Sequence, residues 1–214
     1  MQHERRNPFK NRYKYTDPRE ILCEVVAEKV VKLIKSGNLK EPFYLNAGFF
    51  EVHLPFERKE YIPDDPDKVH VPAYLPDNRY VREELARFHG SIRFMDEAVG
   101  KIVSALDESK FKDSTVIVFT TDHGIPFPRA KSTLYDPGIK TTLIMRFPEG
   151  MVRNGVYKEL ISNIDLTPTL LEMIGAKIPE NIQGRSFYKL LTGEPYAENE
   201  FIFSEKNFHD VYDP

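Results

Sequence analysis

Apolar positions along the chain predict an alternation of helices and strands. The first stretch has helical spacing, with apolar residues at Ile21, Leu22, Val25, Val26, Val30, Leu33 and Ile34. Asp17 and Pro18 suit the start of such a helix, and Gly37 suits its end. A second, longer apolar stripe predicts a helix from Arg79 to Asp107.

Three apolar segments are typical of strands, at residues 43–50, 115–120 and 141–147. Residues 115–120 are β-branched and apolar on both faces, which is typical of a central strand in a parallel sheet. Short helices are expected at residues 165–175 and 184–191. The pattern therefore predicts an α/β fold in which a mostly parallel sheet is sandwiched by helices.

The remaining segments are expected to be irregular. Residues 54–78 are rich in proline and aspartate, which predicts a long loop of the kind that often binds ligands. Phe201 to Ser204 has the pattern of a strand that lacks its partners, so we expect the domain to continue beyond Pro214.

Composition and charge narrow the class of protein. The chain has 214 residues, 41% of them hydrophobic and 29% charged, as in an ordinary globular domain. The formal net charge of -3 gives no reason to expect a nucleic acid partner, and no apolar run approaches the length of a membrane span. Residues 1–6 are polar and unlike a signal peptide, and the compartment stays open.

Asp122-His123-Gly124 is the strongest local signal for chemistry. A carboxylate and an imidazole follow the predicted strand 115–120, and Gly124 would let the chain turn so that both side chains face a bound ion. An ordinary strand-to-loop turn explains the three residues equally well. In a parallel sheet, ligands bind beyond the carboxyl ends of strands, so His53, which follows residues 43–50, is expected at the same edge.

Other candidates are weaker when each is taken alone. His53 lies beside proline and phenylalanine and suits a packed side chain as well as a ligand contact. Arg129 and Lys131 could bind an oxyanion near a metal, or could belong to a solvated basic loop. Cys23, the only cysteine, is best explained as a small buried residue of the first helix.

The order of these segments resembles that of the sulfatase family in the alkaline phosphatase superfamily. The similar blocks cover most of the chain, and residues 71–78, 124–128 and 208–214 are similar to the heparan N-sulfatase branch. The blocks are Pro42–Phe56 with His53-Leu54-Pro55, His89–Leu106, Thr115–Gly124, Lys131–Gly138, Leu143–Pro148, Asp165–Leu171 and Gly184-Arg185-Ser186.

The resemblance implies roles for particular residues. Asp122 would be a metal ligand, His123 a metal ligand or a contact to the nucleophile, and His53 and Lys131 contacts to the sulfate oxygens. The metal would be Ca²⁺, which polarises sulfate, although the imidazole of His123 suits Zn²⁺ or Mn²⁺ better. The implied substrate is a sulfated carbohydrate or a small sulfate ester.

The family's nucleophile is a formylglycine made from a Cys/Ser-x-Pro/Ala-x-Arg motif, which this sequence does not contain. We therefore interpret residues 1–214 as the C-terminal part of a sulfatase catalytic domain, with residues 195–214 leading into a C-terminal subdomain. By itself, this chain is expected to be inactive. Two alternatives stay open: a metal-dependent phosphoester or phosphonate hydrolase of the same superfamily, and a remnant without catalysis.

Overall fold

The computed structural model describes residues 22–206, within two compact units, Met1–Phe111 and Lys112–Pro214. The first unit holds the helices α1 (Cys23–Lys35) and α2 (Arg79–Asp107). The second holds β1 (Ile117–Thr120), α3 (Asp136–Ile139), β2 (Leu143–Arg146), α4 (Leu166–Met173), α5 (Tyr188–Thr192) and 3₁₀ turns at Lys112–Ser114 and Asn163–Asp165. None of the helices between residues 22 and 206 is long and apolar enough to cross a membrane.

Helices α1 and α2 pack through small residues. Cys23, Ala27 and Ala98 are almost completely buried at their contact, and Phe49, Phe94, Met95 and Ile102 surround them. Small side chains let two helix backbones approach closely, and the larger residues around them remove apolar surface from water. This contact forms one buried apolar cluster of the first unit.

The predicted bounds of α2 are confirmed at Arg79 and Asp107, and the carboxamide of Asn78 caps the helix by accepting a hydrogen bond from Val81 N at 3.1 Å. The predicted start of the first helix at Asp17 lies outside the described residues. Within them, Leu22 is extended and α1 begins at Cys23. The carboxylate of Glu51 accepts a hydrogen bond from Cys23 N at 2.8 Å, and so caps α1 from a distant part of the chain.

Residues 54–78 form the irregular loop that the sequence predicted. This loop has its own buried side chains, Phe56, Tyr61, Val69 and Leu75. Its backbone approaches α2 closely, because a Cβ atom on Gly90 would lie 2.6 Å from Ile62 O. The loop is therefore a packed part of the first unit.

The strand predicted at residues 43–50 is wrong, because this segment is irregular. A strand needs a neighbour to satisfy its backbone groups, and the described part of the first unit contains no strand that could pair with it. His53 therefore follows an irregular, partly exposed segment and does not follow a strand. Residues 201–204, also predicted as a strand, are irregular and exposed.

The second unit corrects the predicted sheet. Strands β1 and β2 form a two-stranded antiparallel sheet with Thr120 opposite Leu143 and Ile117 opposite Arg146, whereas the sequence predicted parallel neighbours. The α/β class is retained for the described residues, with this small sheet as its β part. The strand direction follows from the connection, because residues 121–142 leave and return at the same end of the pair, where Thr121 N donates to Thr142 O at 3.4 Å.

Two glycines hold together the ends of the β1–β2 connection, which consists of residues 121–142. Gly124 N donates to Gly138 O at 2.9 Å, and a Cβ atom on Gly124 would lie 1.7 Å from Pro137 O. A Cβ atom on Gly138 would lie 2.3 Å from Ala130 O. Gly124 is required because two stretches of backbone touch at this point, and its φ is not positive.

The two later helices were predicted at nearly the correct positions. A 3₁₀ turn and α4 occupy residues 163–173, and α5 begins at Tyr188, four residues later than predicted. The helix begins later than predicted because two backbone amides of the preceding segment donate hydrogen bonds to side chains of residues 165–169. Arg185 N donates to the buried carboxylate of Asp165 at 2.7 Å, and Phe187 N donates to Thr169 Oγ1 at 3.0 Å.

Replacing Gly124 with alanine should destabilise the second unit. The added methyl group has no room beside Pro137 O, so the backbone must move and the hydrogen bond to Gly138 O must weaken. We expect a loss of about 1–3 kcal/mol in the free energy of unfolding, measured by chemical denaturation. Gly155→Ala is the matched control, because its Cβ atom would have no neighbour within 4 Å. Equal stability of the two variants would contradict this packing.

Candidate functional site

Asp122 and His123 follow β1 and lie at the start of the β1–β2 connection. Asp122 Oδ1 accepts a hydrogen bond from His123 N at 3.0 Å, and its Oδ2 lies 3.7 Å from His123 Nε2. The carboxylate is 88% exposed and the imidazole 35% exposed. The structure therefore brings the two side chains together at a surface that solutes can reach.

The backbone determines which nitrogen of His123 carries the proton. Nδ1 lies 2.7 Å from Gly124 O, and a carbonyl oxygen only accepts hydrogen bonds, so Nδ1 must be the donor. In the neutral imidazole, the lone pair is then on Nε2, the atom close to Asp122. Two electron-rich atoms 3.7 Å apart repel each other unless a cation, either a proton or a metal ion, interacts with both.

This pair fits a divalent metal ion. Metal–nitrogen and metal–oxygen bonds are about 2.1 Å long in zinc sites, so one ion can reach both Nε2 and Oδ2. A histidine that ligates through Nε2 typically donates its Nδ1 proton to a carbonyl or carboxylate, as His123 does. An imidazole with a carboxylate suits Zn²⁺ or Mn²⁺ better than Ca²⁺. Within residues 22–206, the pair supplies two ligands and is not part of any larger cluster of close His, Cys, Asp and Glu ligand atoms.

Lys131 lies in the same β1–β2 connection, and its backbone is hydrogen-bonded to the segment that follows His123. Its amide donates to Ile125 O at 3.1 Å, one residue beyond Gly124. Arg129 and Ser132, on either side of it, have φ values of 63° and 64°, so the chain bends sharply around a half-buried Lys131. Lys131, Asp122 and His123 therefore belong to one hydrogen-bonded loop of the second unit.

His53 lies in the first unit, on a turn closed by a 3.0 Å hydrogen bond from His53 N to Phe50 O. Its exposed ring lies 5.1 Å from the ring of Phe50, measured between centroids. Nδ1 lies 2.8 Å from Leu54 O, which makes Nδ1 the protonated nitrogen, as in His123. Both candidate histidines thus have a tautomer determined by the carbonyl group of the next residue.

The sequence argument missed Asn163. Its Nδ2 donates to Thr121 O at 3.3 Å and its Oδ1 accepts from Thr141 Oγ1 at 3.0 Å. The side chain therefore links the two ends of the β1–β2 connection. No local pattern identifies it, because an asparagine beside a capping serine is equally typical of an ordinary helix start.

The sequence argument also missed a buried charged cluster around Cys23. The side chain of Glu51 is completely buried, and Arg58 pairs with both Glu51 (3.4 Å) and Glu24 (2.7 Å). Burial, and then the charges of Glu51 and Glu24, raise the pKa of the Cys23 thiol to about 12. Cys23 is therefore protonated at neutral pH and is not a nucleophile, which agrees with its interpretation as a small buried residue.

Comparisons with known proteins agree on one family. The family model named Sulfatase matches residues 2–176. An ulvan-active sulfatase from Formosa agariphila is 37% identical over 61% of this chain and 22% of its own length. Human N-sulphoglucosamine sulphohydrolase is 32% identical over 69% of this chain and 31% of its own length, so the chain spans less than a third of both relatives.

Solved structures support the same relationship. A sulfatase structure from Bacteroides fragilis has a TM-score of 0.69 at 27% identity, over 81% of this chain and 42% of that one. A phosphonate monoester hydrolase from Silicibacter pomeroyi has a TM-score of 0.52 at 33% identity, over 57% of this chain and 25% of that one. With a family match over residues 2–176, the resemblance noted in the order of its motifs is confirmed, and the protein belongs to the sulfatase family.

Proposed function

We propose that this chain is part of a sulfuric ester hydrolase that removes sulfate from a sulfated carbohydrate or a small sulfate ester. Family membership supports the reaction class. The names of two relatives support the substrate class, since one is an ulvan-active sulfatase and the other an N-sulphoglucosamine sulphohydrolase. The chain covers less than a third of either relative, so the activity is proposed for the whole enzyme.

In this proposal, Asp122 and His123 hold a divalent metal ion, and His53 and Lys131 contact the sulfate oxygens. The observation that carries it is the 3.7 Å pair of His123 Nε2 and Asp122 Oδ2, with Nδ1 already committed to Gly124 O. When bound, the metal would polarise sulfate. Ca²⁺, Zn²⁺ and Mn²⁺ are the candidates, and the imidazole favours the last two.

A formylglycine nucleophile is expected for a sulfatase, and residues 1–214 contain no Cys/Ser-x-Pro/Ala-x-Arg motif from which it could form. We therefore expect no aryl sulfate turnover from the 214-residue chain by itself. The proposal for this chain is best tested by ligand binding, which needs no nucleophile.

A phosphonate or phosphoester hydrolase is the second candidate. The similarity to a phosphonate monoester hydrolase and the imidazole in the metal pair favour it. The sulfatase proposal has broader support, because the family match covers residues 2–176 whereas that neighbour covers 57% of the chain.

Metal binding should depend on both members of the pair. We expect Asp122→Asn and His123→Ala each to weaken binding of Zn²⁺ or Mn²⁺ by about tenfold or more in calorimetric titrations, because the first replaces an anionic ligand with a neutral one and the second removes a ligand. Asp113→Asn, which changes an exposed carboxylate in the same unit, should bind like the unsubstituted chain. Affinity that does not change in either pair variant would remove the pair from the proposed metal site.

Sulfate binding should depend on His53 and Lys131. In titrations with inorganic sulfate at a saturating metal concentration, we expect His53→Ala and Lys131→Ala each to lower the affinity about tenfold, through loss of a hydrogen bond to an anion. His70→Ala and Lys112→Ala are matched controls with an exposed side chain in the same unit. A parallel titration with a methylphosphonate monoester separates the two functions, since tighter binding of the phosphonate would favour the second candidate.

A further inference from the structure

Glu51 and His53 share one four-residue turn. The hydrogen bond from His53 N to Phe50 O at 3.0 Å closes the turn, with Glu51 and Val52 as its central residues. The side chain of Glu51 is completely buried, whereas His53 is exposed. The turn therefore has a fixed inner side chain and an outer side chain that solutes can reach.

Three groups, one at the start of α1 and two in the 54–78 loop, hold the Glu51 carboxylate. Cys23 N, at the start of α1, donates to Oε2 at 2.8 Å. Tyr61 OH donates to Oε1 at 2.8 Å, and Arg58 Nη1 lies 3.4 Å from the same oxygen. A buried carboxylate without such partners would be strongly unfavourable, so these contacts determine where Glu51 lies.

Arg58 makes the arrangement rigid. Its guanidinium binds Glu24 on α1 at 2.7 Å and lies over the rings of Tyr61 (5.4 Å) and Phe94 (5.5 Å), measured to the ring centroids. The planar group has little freedom when both its edges and its face are in contact. The turn is thus attached to α1 and, through Phe94, to α2.

A metal site is the competing explanation for this cluster, since ligand atoms of Cys23, Glu24 and Glu51 lie within 4.8 Å of one another. Three observations oppose it. The buried thiol of Cys23 keeps its proton at neutral pH. Both oxygens of Glu51 already accept hydrogen bonds. Arg58 supplies the positive charge that the two carboxylates need.

We propose that Glu51 is a positioning residue for His53: its buried carboxylate fixes the 50–53 turn on α1 and thereby sets the direction of the His53 ring. This inference rests on the proposed contact between His53 and sulfate. Glu51 itself touches no substrate. Its effect is exerted through the turn and is separate from the stability that its hydrogen bonds provide.

Glu51→Gln tests the proposal in the full 214-residue chain. Glutamine keeps the shape, but its NH₂ group must face either the amide of Cys23 or the donors Tyr61 and Arg58, so the turn loses at least one bond. Asn78→Ala is the matched control, because it also removes one helix-capping hydrogen bond in the first unit and lies outside the turn. The readouts are the NMR resonances of the His53 ring and the affinity for inorganic sulfate.

We expect Glu51→Gln to shift the His53 ring resonances and to weaken sulfate binding about tenfold, while Asn78→Ala leaves both unchanged. Tyr61→Phe removes a single donor and should cause a smaller change in the same direction, which keeps the test available if Glu51→Gln does not fold. The proposal is overturned if Glu51→Gln gives the same His53 ring resonances as Asn78→Ala. If Glu51→Gln does not fold, the same result for Tyr61→Phe overturns it.

The two proposals fail in different ways. If His53→Ala binds sulfate normally, the proposed function of His53 is wrong, and the ring resonances in Glu51→Gln still decide whether Glu51 sets the position of His53. If His53→Ala loses binding but Glu51→Gln changes neither readout, the positioning role is wrong and the sulfate contact stands.

Discussion

Buried backbone and carboxylate groups must find hydrogen-bond partners, and in this protein that requirement determines the segments that carry the candidate site. The candidate residues themselves lie outside helices and strands. In the second unit, Gly124 N pairs with Gly138 O and Lys131 N with Ile125 O. In the first unit, the amide of Cys23 and the hydroxyl of Tyr61 pair with Glu51. In both units, a few hydrogen bonds hold the irregular backbone around the candidate residues.

This constraint has a chemical consequence. A metal or an anion is bound well when its ligands already point in the required direction, because little conformational entropy is then lost on binding. In His53 and in His123, Nδ1 donates a hydrogen bond to the carbonyl oxygen of the following residue, so in the neutral ring the lone pair is on Nε2. The fold thus selects one tautomer of each imidazole before any ligand arrives, and the function proposed for the pair Asp122 and His123 depends on that selection.

Periodicity and motif order predicted the parts of the structure that depend on local sequence. The bounds of α2 and the position of α4 follow from apolar spacing and capping residues. The direction of β2 could not be predicted, because it depends on Gly124 and Gly138 meeting across 14 residues. The roles of Glu51 and Asn163 also depend on distant partners: Cys23 is 28 residues from Glu51, and Thr121 is 42 residues from Asn163. The resemblance correctly identified the sulfatase family, because it rests on the order of many short motifs, each of which is weak by itself.

The most direct test of the account is the protonation pattern of His123, observed by long-range ¹H–¹⁵N NMR of the 214-residue chain during a zinc titration. We expect a proton on Nδ1 before zinc is added, as the 2.7 Å contact with Gly124 O requires, and a zinc-dependent shift of Nε2 that needs a higher zinc concentration in Asp122→Asn. A neutral His123 with its proton on Nε2, or an Nε2 resonance that does not respond to zinc, would contradict the account.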